Sequence, residues 1–201
     1  NNISLSKIKL NKVDDINISG LDYFEMEVLL DDIKSLNLGN IFSLEDDEII
    51  KIIDSNTLIE KYKIKKKYPS TLNIEIKKTS FLARINQNSK IFILGSNGKL
   101  SENDKSIEEL PYIFGSPNII YFLNLKTIID KTNISYGEIK NFYFFKSKRW
   151  DLELKNNILI KLSGDNLKES LDNAFTILND SNFNNIKIID VRILNQIILN
   201  D

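Results

Sequence analysis

The sequence contains no cysteine and no histidine. That removes disulfides, a thiol nucleophile, an imidazole base and any thiolate or imidazole zinc site. Ser-His-Asp and Cys-His mechanisms are excluded outright, which leaves carboxylate-only catalysis or hard-metal binding as the chemistry still open. No stretch approaches the roughly 20 apolar residues that a bilayer crossing needs, and no signal peptide precedes the first predicted element. There is no internal repeat and no low-complexity linker. An excess of either charge is also missing: 27 basic and 28 acidic residues give a net charge of −1. Global electrostatics therefore gives no push towards nucleic acid or an anionic membrane, and any basic patch has to be local. Missing cysteine fits either cytosol or periplasm and does not decide the compartment.

What is present is an ordinary globular composition, 42% hydrophobic and 27% charged. A chain of 201 residues makes one large domain or two small ones, each able to bury a core. The abundance of asparagine, isoleucine and lysine reads as AT-rich codon use and carries no function. The chain begins Asn1-Asn2 rather than with Met, so the expectation is a fragment with a membrane anchor upstream of Asn1.

Residues 7–18, KIKLNKVDDINI, alternate as a strand, and Gly20 breaks the run. Residues 23–35 carry apolar positions at helical spacing. Ser43, followed by Glu45-Asp46-Asp47, predicts the start of a second helix with acids in its first turn, and Ile49, Ile50, Ile52 and Ile53 predict its buried stripe. Lys61–Lys67 and Leu72–Lys78 read as strands around the turn Tyr68-Pro69-Ser70-Thr71, with Leu72, Ile74 and Ile76 on one face. Lys63 and Lys65 fall on the opposite face from Tyr62 and Ile64. Lysine on the solvent side of an exposed strand guards against edge pairing, and the absence of further interleaved aromatics argues against a nucleic-acid grip.

From Phe81 the pattern is mostly strands. FLARIN and KIFILG form a hairpin, ELPYIFGSP a short strand, and residues 119–131 a helix. GEIKNFYFFKS, RWDLELK and NILIKLS are three consecutive strands, with Asn156-Asn157 as the tight turn before the last. Asp165 or Asn166 caps a helix running to about Asn179. KIIDVRI and QIILN close the chain as two strands joined at Leu194-Asn195. Trp150 is a core aromatic by default. Asp190 and Arg192 share a strand face, as an ion pair or as a charged contact surface.

No catalytic site emerges. Glu45-Asp46-Asp47-Glu48 is a solvated helix start, and Gly115 and Gly164 are isolated, outside any phosphate-binding glycine motif.

These residues together resemble the FtsQ/DivIB cell-division family. Asn40-Ile41-Phe42-Ser43-Leu44-Glu45 and Ile64 to Leu72, IKKKYPSTL, are similar to the second helix start and hairpin of its POTRA domain. ELPYIFG, KRWDLELKNNILIKL and IIDVRILNQIILN are similar to three segments of its second domain, in the same order. The chain departs from the common pattern at Thr79-Ser80, where many relatives have a proline. It departs again at Ile193 and Leu194, where many have an aromatic or a proline.

The resemblance implies an α+β fold: a β-α-α-β-β POTRA domain over residues 1–80, then a mostly antiparallel β domain with flanking helices over residues 81–201. It implies no enzyme activity and no cofactor or metal. It implies instead a septal scaffold on the periplasmic side of a single-pass inner-membrane protein, recruiting FtsB/DivIC-type and FtsL-type partners, with other septal membrane proteins met through the POTRA part. The implied contact is β-augmentation on the closing strands, at Ile193, Gln196, Ile197, Ile198 and Leu199. Arg192 would meet an acidic partner residue, and Lys148 and Arg149 would add charge beside it. Rival readings are a POTRA-type chaperone or transporter module that binds strand clients, and a carboxylate-dependent hydrolase.

Overall fold

The computed structural model describes residues 12–102, 109–183, 185–193 and 196–200. The chain divides into two compact units, Asn1–Ser80 and Phe81–Asp201.

The first unit runs β1 (Asp15–Ser19), α1 (Tyr23–Ser35), α2 (Asp47–Ser55), β2 (Ile59–Lys67) and β3 (Thr71–Lys78). Its sheet has the order β1-β3-β2, with β1 parallel and β2 antiparallel to β3. Asp22 starts α1 with a capping box, its side chain accepting from the Glu25 N–H while Glu25 reaches back to the Asp22 N–H. Leu29 and Ile33 of α1, Ile49 and Ile53 of α2, and Leu72, Ile74 and Ile76 of β3 share one core. Gly20 lies at φ +96°, and a Cβ there would come within 1.8 Å of the Ile76 carbonyl oxygen, so the turn between β1 and α1 admits only glycine.

The second unit is one sheet of nine strands among the described residues. Its elements are β4 (Phe81–Gln87), β5 (Lys90–Gly95), β6 (Leu100–Glu102), β7 (Tyr112–Phe114), α3 (Ile119–Ile129), β8 (Ile139–Phe144), β9 (Trp150–Leu154), β10 (Leu159–Leu162), α4 (Leu167–Leu178), β11 (Ile188–Val191) and β12 (Ile198–Asn200). The spatial order is β12-β11-β10-β9-β8-β7-β4-β5-β6. Most pairings are antiparallel, while β4–β7, β7–β8 and β10–β11 are parallel. The helices pack through Phe122, Leu125, Ile129, Leu171 and Ala174 onto the strand residues Phe142, Trp150, Leu152, Ile160 and Ile189. Trp150, 2% exposed, meets Phe144, Phe122 and Phe142 at ring separations of 4.7, 6.1 and 6.3 Å.

Several boundaries differ from the sequence reading. The expected strand at 7–18 is Asp15–Ser19, and residues 7–11 lie outside the described part of the chain. Helix α2 begins at Asp47 rather than at Ser43. The Ser43 hydroxyl instead donates to the Asn40 carbonyl inside a turn, and the Phe42 N–H donates to the Asn40 side chain, so the local bonds that favoured a cap hold a loop. Ile49 and Ile53 are fully buried, while Ile50 and Ile52 are only half-buried. In the closing region β11 stops at Val191, which leaves Arg192 and Ile193 beyond its end. Strand β12 begins at Ile198, so Gln196 and Ile197 precede it; Leu194 and Asn195 lie outside the described residues.

Candidate partner-binding surface

The closing strands lie at one end of the nine-stranded sheet. Alternation in the β9 sequence WDLEL sends Trp150, Leu152 and Leu154 into the core and Asp151 and Glu153 to the other face. Strand register then sets Asp151 opposite Lys161, Lys161 opposite Asp190, and Asp190 opposite Ile198. A row of alternating charge thus crosses β9, β10 and β11 and ends on β12.

Arginines close this row at two points. Arg149 Nε donates to Asp151 Oδ1 at 3.3 Å, and its guanidinium lies 4.5 Å from the centroid of the Phe145 ring. Arg192 forms a fork on Asp190, with Nε donating to Oδ1 at 2.7 Å and a terminal nitrogen donating to Oδ2. The Arg192 N–H also donates to Asp190 Oδ1 at 3.2 Å, folding the chain back just after β11. The two carboxylates respond in opposite directions. Bonds from Arg192 hold the Asp190 carboxyl below its usual range against the cost of burial. Burial pushes the Asp151 carboxyl up, because its one long contact with Arg149 and the more distant charges of Lys161 and Arg192 do not offset desolvation.

The expected contact residues do not all converge. Arg149 and Arg192 are drawn to the same charge row. Lys148 instead sits at φ +61° in the turn between β8 and β9, with its ammonium 5.8 Å from the centroid of the Tyr121 ring on α3. Ile193, Ile197 and Ile198 are exposed at 57%, 39% and 40%. Leu199 pairs with Ile189 and packs partly against the core, so it anchors β12 rather than presenting a side chain. Gln196 donates its N–H to the Ile193 carbonyl at 3.1 Å, which places it in a turn ahead of the strand. On its outer side β12 has no neighbouring strand among the described residues.

Sequence reasoning missed two groups. Lys161 and Asp151 were legible as outward positions of their strands, but only register makes them neighbours. Ser170 is 3% exposed; its hydroxyl donates to the Val191 carbonyl at 3.2 Å and accepts from the Ser163 N–H at 3.3 Å, tying α4 to the end of β11. A serine beside Leu171 and Ala174 on the buried face of a helix was the available signal. The acids Glu45 to Glu48 lie at the start of α2, and among the described residues no group of three or more acidic side chains is placed to hold a metal.

Residues 11–78 match the family model of the FtsQ-type POTRA domain, and residues 83–192 match that of the FtsQ/DivIB cell division protein C-terminal region. The chain belongs to the FtsQ/DivIB cell division family. Members are divisome components of scaffold type. The FtsQ of Rickettsia bellii is 27% identical over 185 residues, covering 90% of this chain and 69% of the relative. The DivIB of Clostridium tetani is 29% identical over 160 residues, covering 71% and 60%. A solved structure of the major extracytoplasmic domain of DivIB from Geobacillus stearothermophilus aligns at 12% identity with a TM-score of 0.36, over 53% of this chain and 96% of that one; the family assignment stands without it. The FtsQ/DivIB match ends at Arg192, so Ile193 and the whole of β12 lie past it. No helix among the described residues is long and apolar enough to cross a membrane.

Proposed function

We propose that this member of the FtsQ/DivIB family is a non-enzymatic divisome scaffold that takes a strand of an FtsB/DivIC-type partner on its closing strands, with an FtsL-type protein in the same assembly. It would act on the extracytoplasmic side of the inner membrane at the septum, held by an anchor upstream of Asn1, with its POTRA unit meeting other septal membrane proteins. It needs no cofactor, metal or nucleic acid. The observation that supports this reading best is the outer edge of β12, which has no neighbouring strand among the described residues, with Ile193, Ile197 and Ile198 exposed at or before its start. Backbone bonds along such an edge supply affinity whatever the partner's sequence, and neighbouring pockets and charges supply selection. Arg192, at the β11 end of the charge row, would select an acidic residue on the incoming strand, while Arg149 lies at the β9 end and would add only longer-range positive charge.

The test is calorimetric binding of the extracytoplasmic segment of the FtsB/DivIC-type partner. Arg192→Glu is expected to weaken binding about tenfold, since it removes one charge contact and adds a repulsion. Ile198→Pro and Leu199→Pro complete the set. Neighbouring residues in a strand alternate the side to which their N–H points; one of these prolines therefore removes an outward donor and the other a bond to β11. Unchanged affinity in all three variants sinks the assignment.

A further inference from the structure

Helix α1 places Leu29 and Ile33 in the core of the first unit. Its opposite side is not the polar face that a merely solvated helix carries. At about 3.6 residues per turn, Phe24, Glu27, Val28, Asp31 and Ser35 form one stripe on the side away from that core. Phe24 and Val28 are 76% and 48% exposed, and Tyr23 beside them is 75% exposed. Exposed apolar residues scattered singly are ordinary. Three within the first two turns of one helix form a patch, and such patches on a polar surround are where another molecule is met.

The acids of this helix fall into two sets. Asp22 and Glu25 are both held by Lys78, the first at 3.3 Å. Glu27, Asp31 and Asp32 are exposed and have no ion-pair partner among the described residues. Lys34, in the last turn, is the one base of α1.

These charges decide among the occupants. A second copy laid α1 on α1 would set acid against acid, and like charges brought together across an interface cost several kcal/mol. The negative surface of an anionic membrane is repelled by the same three carboxylates. An extended strand finds no edge to pair with, because the backbone groups of α1 are bonded within the helix. A cationic helix meets neither obstacle. Residues four apart form a ridge that packs into the groove of a facing helix at ~8–10 Å between axes, and Phe24 and Val28 are such a ridge.

We infer that the outer face of α1 receives an amphipathic basic helix of another protein, with apolar residues three or four apart seated on Phe24 and Val28 and Lys or Arg in the adjoining turns meeting Glu27 and Asp31. The inference rests on the reading of the POTRA unit as a meeting point for other septal proteins, and supplies the face and the chemistry of the partner. The closing strands lie in the other unit, so either assignment can fail while the other stands.

The experiment titrates the whole chain with a fluorescent, alanine-based helical peptide carrying leucines along one seam and lysines beside them. Its comparator has the same composition with leucines and lysines scattered round the helix, and phosphatidylcholine and phosphatidylglycerol vesicles form a third arm. The seam peptide is expected to bind and to shift the amide resonances of α1. Phe24→Ser is expected to weaken it about tenfold, and Glu27→Lys with Asp31→Lys to weaken it as much at low salt and less at high salt. All three positions face solvent, so the unfolding midpoints should stay as in the parent chain. Phe24→Ser should also leave binding of the FtsB/DivIC-type segment as it was, which separates a failure here from a failure at the closing strands. Equal binding of the scattered peptide, shifts outside α1, or no binding overturns the inference. So does self-association of the chain, or capture by vesicles, that Phe24→Ser abolishes.

Discussion

Arg192 grips Asp190 at two points, its Nε 2.7 Å from Oδ1 and a terminal nitrogen on Oδ2, just past the last residue of β11. A planar guanidinium on a carboxylate in this geometry is among the stronger side-chain pairs. An incoming acidic residue therefore finds an arginine already engaged and has to share or displace Asp190.

Asp190→Asn opens that fork. Freed of its internal partner, Arg192 is expected to attract an acidic strand a few-fold more strongly at low salt, an advantage that fades as ionic strength rises. The same change removes hydrogen bonds to a charged group and is expected to cost about 1 kcal/mol of stability. Binding isotherms at two salt concentrations, beside a urea melt, separate the effects.

The stability of the second unit should fall as acid is added. Glu153 accepts from Asn141, Tyr143 and Lys140, at 2.8, 2.6 and 2.9 Å, and these bonds bring its carboxyl down from 4.5 to about 2. A depressed carboxyl contributes stability that is present above its unfolded value and is lost as pH falls through the folded one. The loss is thus expected below about pH 4.5 and runs down to about pH 2. Asp190 acts with the same sign, and Asp151, raised by burial, with the opposite one. Urea melts across this range should show the slope flattened in Glu153→Gln; a wild-type slope in that variant contradicts the assignment.

Trp150 is the single tryptophan and sits in the second unit's core. Trp150→Phe should be tolerated at a modest cost, while Trp150→Ala is expected to cost about 3–5 kcal/mol through the cavity it leaves among Phe122, Phe142 and Phe144. Circular dichroism during denaturation reads both variants without the missing fluorophore.

In the first unit, Gly20→Ala forces a Cβ to within 1.8 Å of the Ile76 carbonyl oxygen at a φ of +96°. The expected cost is about 2–4 kcal/mol, as the β1–α1 turn moves off β3. Amide exchange should quicken in β1 and β3 and stay unchanged in β8–β11.

What the sequence made legible was chiefly a matter of faces. Apolar spacing over residues 23–35 matches α1 to the residue, Leu72, Ile74 and Ile76 do share the buried side of β3, and Asn157 adopts φ +65° in the turn before β10. Period-two and period-3.6 patterns report which side of an element is buried; they do not report its neighbour. Hence the parallel pairs β4–β7 and β10–β11 were invisible, and so was the meeting of Asp151, Lys161 and Asp190, which depends on register between strands. The fork of Arg192 was hidden for a related reason: the alternation DVRI looked like continuing strand, whereas β11 ends at Val191 and Arg192 folds back on Asp190. The resemblance implied that Lys148 and the adjacent Arg149 add charge beside Arg192, but Lys148 takes a positive φ and sets its ammonium over Tyr121 on α3.

The central claim is that a partner strand is received at β12, and hydrogen–deuterium exchange of this chain with and without the FtsB/DivIC-type segment tests it most directly. The account predicts new protection at residues 196–200, beside unchanged exchange in the first unit, and its loss in Arg192→Glu. Protection confined to the first unit, with β12 exchanging as in the free chain, would contradict it.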